Sequence, residues 1–219
     1  MSNINTDQWN ENSVIIQRSL LARIHRRLII RLSKFYTIMA DKDVLILDVG
    51  CGSGYFICEF YGKGYRRIYG IEPDGALLAN IPAGMAEIHH DKAGAMSFPD
   101  ATFDAVFVYG VLHHLQGVSG YIEAVGEMDR VLKPHGFLFI MEPGRLWMLH
   151  LVEFVTRLLG PFMAPLRALR AALEEERKDQ EFFIKHHAVI RDYFLKKKYC
   201  YVVDRYFLYT WISTLQKRQ

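Results

Sequence analysis

Cysteine is scarce in this chain: Cys51, Cys58 and Cys200 are its only cysteines among 219 residues. Three cysteines are too few, and odd in number, for the disulfide framework of a small secreted protein. Residues 1–13 are polar and lack the basic start and apolar centre of a secretory signal. An apolar run of roughly 18 residues, which a membrane-spanning helix would need, is also missing. The sequence therefore predicts a cytoplasmic protein in a reducing compartment.

A strong excess of charge of one sign is missing as well. Lys and Arg number 27 against 24 for Asp and Glu, and the formal net charge is +3. Proteins dedicated to nucleic-acid binding usually have a strong and clustered basic bias, so no nucleic-acid partner is expected. Hydrophobic residues make up 51% of the chain, which excludes intrinsic disorder and suits one globular domain with a sizeable core.

A helix is predicted over residues 14–39, and we assign residues 1–42 to an N-terminal helical cap. Its apolar residues recur at spacings of three and four and define one packing stripe: Leu20, Leu21, Ile24, Leu28, Leu32, Phe35 and Met39. The other face has basic residues and no acid: Arg18, Arg23, Arg26, Arg27, Arg31 and Lys34. We interpret this face as solvated, and contact with an anionic surface or substrate is the alternative.

Short apolar strands and helices alternate from residue 43 to residue 143. The predicted strands are 44–49, 67–71, 85–89, 103–109 and 137–141, and the predicted helices are 55–61, 75–79 and 121–132. Such alternation predicts a parallel sheet with helices on both faces. Residues 146–192 are predicted to be helical, with breaks at 160–161 and 165. Two closing strands are predicted at 199–203 and 205–212, joined only by Asp204.

A glycine-rich turn between the first strand and the next helix is the strongest chemical signal. It has the sequence Asp48-Val49-Gly50-Cys51-Gly52-Ser53-Gly54. Glycines let a backbone approach a ligand closely, and the start of the helix offers free N–H groups. A dinucleotide fingerprint needs glycines at its first, third and sixth positions. Here they occupy the first, third and fifth, so the spacing disfavours a nicotinamide or flavin site.

Glu72 closes the second strand and is the acidic partner of this turn. In a doubly wound sheet, Asp48 and Glu72 lie at the carboxyl ends of adjacent strands, beside the crevice where ligands bind. A carboxylate can accept two hydrogen bonds from a ribose diol, so Glu72 suits a nucleoside with free hydroxyls. The alternative is that Glu72 is an ordinary surface acid at the end of a strand. The neighbouring glycine turn favours the ligand-binding role over this alternative.

Four segments in order resemble the class I S-adenosylmethionine-dependent methyltransferases, and most of all the members that act on small molecules. They are DVGCGSG at 48–54, GIEPD at 70–74, SFPDATFDAVFVYGVLHHL at 97–115 and EMDRVLKPHGFLFIMEP at 127–143. The resemblance implies a Rossmann-like methyltransferase fold, a doubly wound and mostly parallel α/β sheet of seven strands. The last strand would be antiparallel and lie between the fifth and sixth. It also implies one domain, with a cofactor core at 43–143, a helical lid or substrate region at 144–198 and closing strands at 199–219.

The resemblance implies S-adenosyl-L-methionine as cofactor and suggests which residues hold it. Asp48, Gly50 and Gly52 would surround its methionine moiety, with Cys51 as a small residue filling space in the same turn. Glu72 would hold the ribose hydroxyls.

Three further residues are expected around the rest of the cofactor. Pro73 would press on the adenine edge, and Asp91 is the candidate for the adenine amino group. The segment from Asp91 to Ser97 is one residue longer than is typical of the family. Tyr109 would line the pocket near the sulfonium, and packing in the core is the alternative.

His113 and His114 follow the fourth strand, near the expected position of the methyl group. The resemblance favours His114 as the residue that orients the acceptor or takes its proton, and a structural histidine is the alternative. Adjacent residues point in different directions on a helix or strand. No His-Glu-x-x-His or paired-cysteine spacing occurs, so no metal site is expected. Glu142 at the end of the fifth strand could hydrogen-bond the acceptor.

Residues 146–173 have an apolar face wider than one packing stripe needs. We predict a helical lid over the acceptor pocket, with Trp147, His150 or Phe154 facing the substrate. Contact with another subunit and peripheral contact with a membrane are the alternatives, and the oligomeric state stays open. The charged residues 174–179 that follow are predicted to be a solvated stretch.

These observations predict an S-adenosylmethionine-dependent methyltransferase that acts on a small, partly apolar acceptor. A non-catalytic module that binds the same cofactor is one alternative. A nucleic-acid methyltransferase that uses the basic N-terminal helix is the other. The residues after the fourth strand, Tyr109-Gly110-Val111-Leu112, do not match the Asn/Asp-Pro-Pro-Tyr/Phe motif of enzymes that methylate base amino groups. The nucleic-acid alternative is therefore disfavoured.

Overall fold

A seven-stranded mixed sheet organises the computed structural model, which describes residues 20–218. The strands are β1 Ile46–Val49, β2 Ile68–Ile71, β3 Glu87–His89, β4 Phe103–Tyr109, β5 Leu132–Pro143, β6 Cys200–Phe207 and β7 Thr210–Gln216. Their order is β3-β2-β1-β4-β5-β7-β6. The first five strands pair in parallel, whereas β7 is antiparallel to both β5 and β6. The implied fold and the position of its last strand are confirmed.

Eight α-helices are described around this sheet. They are α1 Leu20–Leu32, α2 Phe35–Ile38, α3 Tyr55–Gly62, α4 Gly75–Leu78, α5 Gly117–Val131, α6 Leu146–Leu159, α7 Ala164–His186 and α8 Ala188–Lys196. Single 3₁₀ turns at Leu112–His114 and Gly160–Phe162 connect them to their neighbours. Within residues 20–218, none of these helices combines the length and apolar composition that a bilayer crossing requires.

Each face of the sheet has its own apolar core, because alternate residues of a buried strand point to opposite sides. One core contains Val106, Tyr121, Phe183 and Trp211. The other contains Phe35, Phe60, Phe107 and Phe139. The ring of Phe35 lies 4.7 Å from the rings of both Phe60 and Phe139, so α2 is fixed against the middle of the sheet. The carboxyl ends of β1, β2, β4 and β5 stay uncovered by these cores.

The predicted N-terminal helix is interrupted. Its packing stripe is wrong at Ile24 and Leu28, which are exposed, whereas Phe35 and Met39 are buried as predicted. Residues 14–19 of the prediction lie outside the described residues. The chain breaks at Ser33 and Lys34, where the Ser33 hydroxyl donates to the carbonyl of Ile30 and Lys34 has a φ of 61°. Ile24 is 46% exposed, whereas Ile29 and Ile30 are buried. The buried face consists of Arg26, Ile29, Ile30 and Ser33, which also have spacings of three and four.

The closing hairpin is shifted from its predicted position. Asp204 lies within β6 and is not a link, because its carboxylate accepts hydrogen bonds from Trp211 Nε1 and Arg191 Nη2, both at 2.7 Å. The turn instead falls at Leu208 and Tyr209, and Leu208 adopts a left-handed φ of 51°. These long-range partners of Asp204 cannot be seen in a local pattern.

The segment 133–136, which lies between the predicted helix 121–132 and the predicted strand 137–141, is part of β5. The pairing of β4 with β5 shifts register between Phe103 and Ala105, and His135 has a φ of 64°. The Pro-His-Gly sequence therefore forms an irregularity at the start of the strand and not a loop before it.

Candidate functional site

A cavity of about 950 Å³ opens at the carboxyl ends of β1, β2, β4 and β5. This volume is near the top of the range of roughly 300–1,000 Å³ that small-molecule sites occupy. The glycine turn and the ends of the strands form its floor, and α7 contributes Glu175, Glu176, Asp179 and Gln180. Arg26 from α1 and Tyr209 from the closing hairpin complete the wall. The predicted cofactor residues and His114 all line this cavity.

The glycines of the turn differ in what surrounds their Cα atoms. Gly50 has a φ of +67°, and a Cβ there would lie 2.3 Å from Val111 Cγ2, so the protein's own packing excludes a side chain. Gly52 has a φ of +52°, but a Cβ there would meet nothing within 4 Å. The open space at Gly52 belongs to the cavity that it lines, so a ligand can approach the backbone closely at this point.

Asp48 and Glu72 lie side by side at the floor of the cavity. Glu72 accepts hydrogen bonds from the backbone N–H groups of Gly52 and Asp74, both at 3.0 Å, so it holds the glycine turn against β2. Burial raises the pKa of both carboxyls, and the charge of Glu72 raises that of Asp48 further. Asp48 Oδ2 is buried and has no hydrogen-bond partner. An oxygen in this state is suited to accept a hydrogen bond from a ligand's polar group.

Cys51 is buried inside the turn, as the space-filling interpretation predicts. Burial, together with the charges of Asp48 and Glu72, raises the pKa of its thiol. A neutral, buried thiol is a poor nucleophile. Cys51 therefore contributes shape to the turn rather than reactivity.

Asp91, Pro73 and Tyr109 occupy the remaining predicted positions around the cavity. Asp91 Oδ2 accepts hydrogen bonds from the backbone N–H and the hydroxyl of Ser97, at 2.9 and 2.7 Å. Burial alone would raise the pKa of Asp91, but these two hydrogen bonds outweigh it and lower the pKa. Burial raises the pKa of Tyr109, whose hydroxyl also interacts with Arg26. The roles proposed for these residues stay predictions.

Glu142 lines the cavity, but both of its carboxylate oxygens accept hydrogen bonds from the protein itself, and its contact with an acceptor stays a prediction. Its Oε1 accepts the backbone N–H groups of Val111 and Leu112 at 2.8 and 2.9 Å. Its Oε2 accepts Nδ1 of His113 at 2.7 Å, and none of the Glu142 side chain is exposed. Glu142 thereby fixes the loop after β4, which includes both histidines.

The two histidines converge, contrary to the expectation that adjacent residues point apart. They lie in a 3₁₀ turn, and their ring centroids are 4.0 Å from each other. Nε2 of His113 lies 3.6 Å from Glu176 Oε2, and Nε2 of His114 lies 4.0 Å from Glu176 Oε1. The side chain of His114 is partly exposed and lines the cavity, as predicted, while its chemical role stays a prediction.

The electrostatics of this group follow from burial and from the facing carboxylates. Burial alone would lower the pKa of His113, but Glu142 and Glu176 outweigh it and raise the pKa to about 9. Burial and the neighbouring His113 lower the pKa of His114. Burial alone would raise the pKa of Glu176, but the two histidines and Gln180 together lower it.

Glu176 is the principal site residue that the sequence analysis missed, since residues 174–179 were predicted to be solvated. A helical stripe continues through this charged run. Glu176, Gln180 and Phe183 have spacings of four and three, and Gln180 and Phe183 are buried. That spacing could have predicted that Glu176 faces the protein interior, but the three consecutive glutamates made the segment look solvated. Arg26 was missed for a similar reason, because it was grouped with the basic residues that are exposed.

The cover of the cavity comes from α7, not from the predicted residues of 146–173. Trp147, His150 and Phe154 do not line the cavity. Trp147 and Phe154 are 62% and 63% exposed. The 3₁₀ turn at Gly160–Phe162 folds α6 back along α7, where Glu153 and His150 lie 3.8 and 3.7 Å from Arg177 and Glu181. α6 therefore packs on the side of α7 that faces away from the site.

Comparisons with known proteins agree with this geometry. The model of a family described as a methyltransferase domain matches residues 47–140. A tRNA U34 carboxymethyltransferase of Glaesserella parasuis is 38% identical over 80 residues, which are 33% of this chain and 25% of that protein. The chain matches between a quarter and two fifths of the length of the first two curated relatives.

Two solved structures share the fold at low sequence identity. One, from Methanococcus maripaludis, is described as a candidate S-adenosylmethionine-dependent methyltransferase. It is 13% identical, with a TM-score of 0.67 over 100% of this chain and 98% of that chain. The other is the 1,6-didemethyltoxoflavin-N1-methyltransferase of Burkholderia thailandensis with 1,6-didemethyltoxoflavin and S-adenosylhomocysteine bound. It is 15% identical, with a TM-score of 0.53 over 96% of this chain and 90% of that chain.

Proposed function

We propose that the chain, whose residues 47–140 match a family described as a methyltransferase domain, is a class I S-adenosylmethionine-dependent methyltransferase that methylates a small, partly apolar acceptor. The observation that carries the proposal is one continuous cavity. It extends from the glycine turn, Asp48 and Glu72 to the histidines after β4. A cofactor site and an acceptor site are adjacent in such a cavity, as methyl transfer requires.

The residues present fit S-adenosylmethionine, whose sulfonium supplies the activated methyl group when the cofactor is bound. The open space at Gly52 admits a ligand beside the backbone, and the unpartnered Asp48 Oδ2 can accept a hydrogen bond from an ammonium group. Glu72 has one backbone donor on each oxygen, which leaves acceptor capacity for ribose hydroxyls. Asp91 and Pro73 are proposed to contact the adenine.

The acceptor is proposed to lie between His114 and the aromatic side of the cavity. Tyr109 and Tyr209 offer ring surfaces there, while His114 and Glu176 offer polar atoms. Burial raises the pKa of Tyr109 and of Tyr209, so both phenols stay neutral near pH 7. A pocket with one aromatic and one polar side suits a flat, partly apolar molecule. In this role α7 and Arg26 exclude water from the transfer, and His114 orients the acceptor or takes its proton.

A nucleic-acid acceptor is the alternative, because the matched relative from Glaesserella parasuis is named as a tRNA enzyme. The match covers a third of this chain and so gives little information about the acceptor region. The basic residues Arg23, Arg27 and Arg31 of α1 are exposed and could contact phosphates. The small net charge of +3 and the burial of Arg26 in the cavity wall weigh against that role.

The discriminating experiment supplies the full chain with a donor that has a radiolabelled methyl group. Parallel reactions offer a library of small aromatic and heterocyclic acceptors and a total tRNA preparation, with Gly52→Val as the inactive control. We expect label in the small-molecule fraction alone. Label in tRNA, with binding that weakens steeply as salt rises, would overturn the proposal. Cofactor binding without transfer to either class would favour the non-catalytic alternative.

We further propose that the exposed apolar face of α6 and the following turn contacts a membrane surface. Trp147, Phe154, Leu158 and Phe162 are each more than half exposed, and Phe162 is 85% exposed. Arg157 on the same helix is also exposed. Apolar residues next to a cation are typical of helices that lie in the interface of anionic bilayers.

A further inference from the structure

His113, His114 and Glu176 form a cluster whose composition is that of a metal site. One ligand atom from each of the three lies within 4.8 Å of the others. They come from two distant parts of the chain, the 3₁₀ turn after β4 and the middle of α7. The cluster borders the cavity but includes no residue that we assign to the S-adenosylmethionine site.

The Nε2 atom of His113 is the observation that points to a ligand. The His113 side chain is 96% buried, being only 4% exposed, and its Nε2 has no hydrogen-bond partner. Nδ1 of the same ring donates to Glu142, which leaves Nε2 directed at Glu176 and the cavity. A buried ring nitrogen without a hydrogen-bond partner is rare in a folded protein, and a bound ion is an occupant that would explain it.

Two of the three residues are hydrogen-bonded to neighbouring side chains, as metal ligands usually are. Metal-binding histidines commonly donate their other ring nitrogen to a carboxylate, as His113 does to Glu142 at 2.7 Å. Ligating carboxylates are in turn hydrogen-bonded, and Gln180 Nε2 donates to Glu176 Oε2 at 2.7 Å. Neither Glu142 nor Gln180 is needed to explain the cofactor site.

The separations between the ligand atoms are somewhat longer than those around a bound ion. Ligand atoms about 2.1 Å from a tetrahedral ion lie about 3.4 Å from one another. His113 Nε2 lies 3.6 Å from Oε2 of Glu176, and His114 Nε2 lies 4.0 Å from Oε1 of the same carboxylate, so the side chains would draw closer around an ion. We propose that His113, His114 and Glu176 bind a divalent first-row transition cation such as Zn²⁺ or Fe²⁺.

The donor set decides the class of ion. Two imidazole nitrogens and one carboxylate oxygen suit Zn²⁺ or Fe²⁺, whereas Mg²⁺ and Ca²⁺ prefer oxygen ligands throughout. Three protein ligands leave the side of the ion that faces the cavity open, as in catalytic rather than structural metal sites. That open position is where an acceptor oxygen or nitrogen could bind. This last point rests on the proposed function, whereas the metal site does not.

The test measures metal binding alone, on the full chain without an affinity tag and after removal of metals with a chelator. Titration with Co²⁺ should give visible absorption bands that saturate at one equivalent, and Zn²⁺ should displace them. X-ray absorption of the Zn²⁺ form should show two imidazole ligands. The binding constants are measured without cofactor or acceptor, so failure of the proposed function would not affect the result.

Two variants and one control make the test specific. Glu176→Gln and His114→Ala should each weaken binding at least tenfold. Glu175→Gln removes the same charge from the next residue, which lines the same cavity outside the cluster, and should keep the affinity. Melting temperatures show whether each variant is folded. An absence of Co²⁺ bands in the unmodified chain would mean that a proton shared by His113 and Glu176 fills the site, and would overturn the proposal. Equal binding by all variants would overturn it too.

Discussion

Nδ1 of His113 lies 2.7 Å from Oε2 of Glu142, and the two side chains are 4% and 0% exposed. The other oxygen of Glu142 accepts two backbone N–H groups of the loop after β4. A single carboxylate from β5 therefore fixes both the path of this loop and the orientation of a histidine ring. Because Glu142, Leu112 and His113 are buried, these contacts matter to stability as well as to the site.

Glu142→Ala should lower the free energy of unfolding by about 3 kcal/mol or more, the usual cost of removing one partner of a buried charged pair. The variant leaves the N–H groups of Val111 and Leu112 and the Nδ1 of His113 without an acceptor. Urea unfolding followed by circular dichroism measures the change. Glu175→Ala, which removes an exposed carboxylate near the same cavity, should change it by less than about 0.5 kcal/mol. A loss below about 1 kcal/mol for Glu142→Ala would contradict this account.

Gly52→Val should abolish binding of S-adenosylhomocysteine, because its side chain would occupy the open space in the cavity. Gly84→Val is the matched control, since Gly84 also has a positive φ and open space but lies outside the cavity. Both variants place a β-branched residue at a positive φ, so both should be destabilised and only Gly52→Val should lose the ligand. Isothermal titration calorimetry measures the affinity, and equal loss in the two variants would refute the role of Gly52.

Glu72→Ala should weaken binding of the same ligand by about 1.5–3 kcal/mol, the usual range for hydrogen bonds to a charged group. The variant also frees the N–H of Gly52, so part of the loss arises from a looser glycine turn. Glu72→Gln separates the two effects, because it retains an acceptor for one N–H group. If both variants keep the affinity of the unmodified chain, Glu72 does not bind the ligand.

His114→Ala should leave the affinity for S-adenosylhomocysteine nearly unchanged and lower turnover by about a hundredfold once an acceptor is known. The side chain lines the cavity and is proposed to act on the acceptor rather than on the cofactor. His150→Ala, on the far side of α7, should keep full activity. If His114→Ala retains the activity of the unmodified chain, the histidine has a structural role only.

The sequence predicted the core of the fold well because each strand there is short, apolar and followed by a turn residue. β4 has the predicted bounds, and the order of the sheet follows from the resemblance. The errors lie where polar residues have distant partners. Asp204 was assigned to a turn because Trp211 and Arg191, which hold it within β6, act only in the folded chain.

The cofactor half of the site was predictable for the same reason, since Asp48, the glycines and Glu72 lie at the ends of adjacent strands. The acceptor half was not. Glu176 reaches the cavity from α7, and Arg26 reaches it because α1 packs with a different face from the one predicted. Both are charged residues in charged runs, where periodicity of apolar residues gives no signal.

Protonation of Asp129 should make the protein less stable in acid. Burial alone would raise its pKa, but hydrogen bonds from Tyr199 and Lys217 and the charges of Lys217 and Lys197 outweigh it and lower the pKa below the ordinary 3.8. The Tyr199 hydroxyl lies 2.8 Å from Asp129 Oδ1, and this contact links α5 to the start of β6. Because the pKa of Asp129 is lower in the folded than in the unfolded state, its contribution to stability is complete above the pKa of the unfolded state. That contribution disappears as the pH falls through the pKa of the folded state.

The difference in unfolding free energy between the unmodified chain and Asp129→Asn should therefore be constant above about pH 5 and shrink below about pH 4. Its plateau should be about 1.5–3 kcal/mol. Tyr199→Phe removes one of the hydrogen bonds and should reduce the acid-sensitive part. A difference that stays constant down to about pH 2 would show that the carboxylate charge does not stabilise the fold.

The exposed face of α6 should bind vesicles that contain anionic lipid, and Leu158→Glu should abolish that binding. Leu158 is 61% exposed, so it is not needed for the fold, and a carboxylate there would oppose both the apolar contact and the anionic headgroups. Leu195→Glu is the matched control, because Leu195 is 59% exposed on α8 and outside this face. Flotation measures the bound fraction, which should fall as salt screens the attraction of Arg157 to the headgroups. A different result would overturn this proposal: neither the unmodified chain nor Leu158→Glu binds vesicles, and the unmodified chain alone forms larger particles as its concentration rises. The face would then be a contact between two copies of the chain.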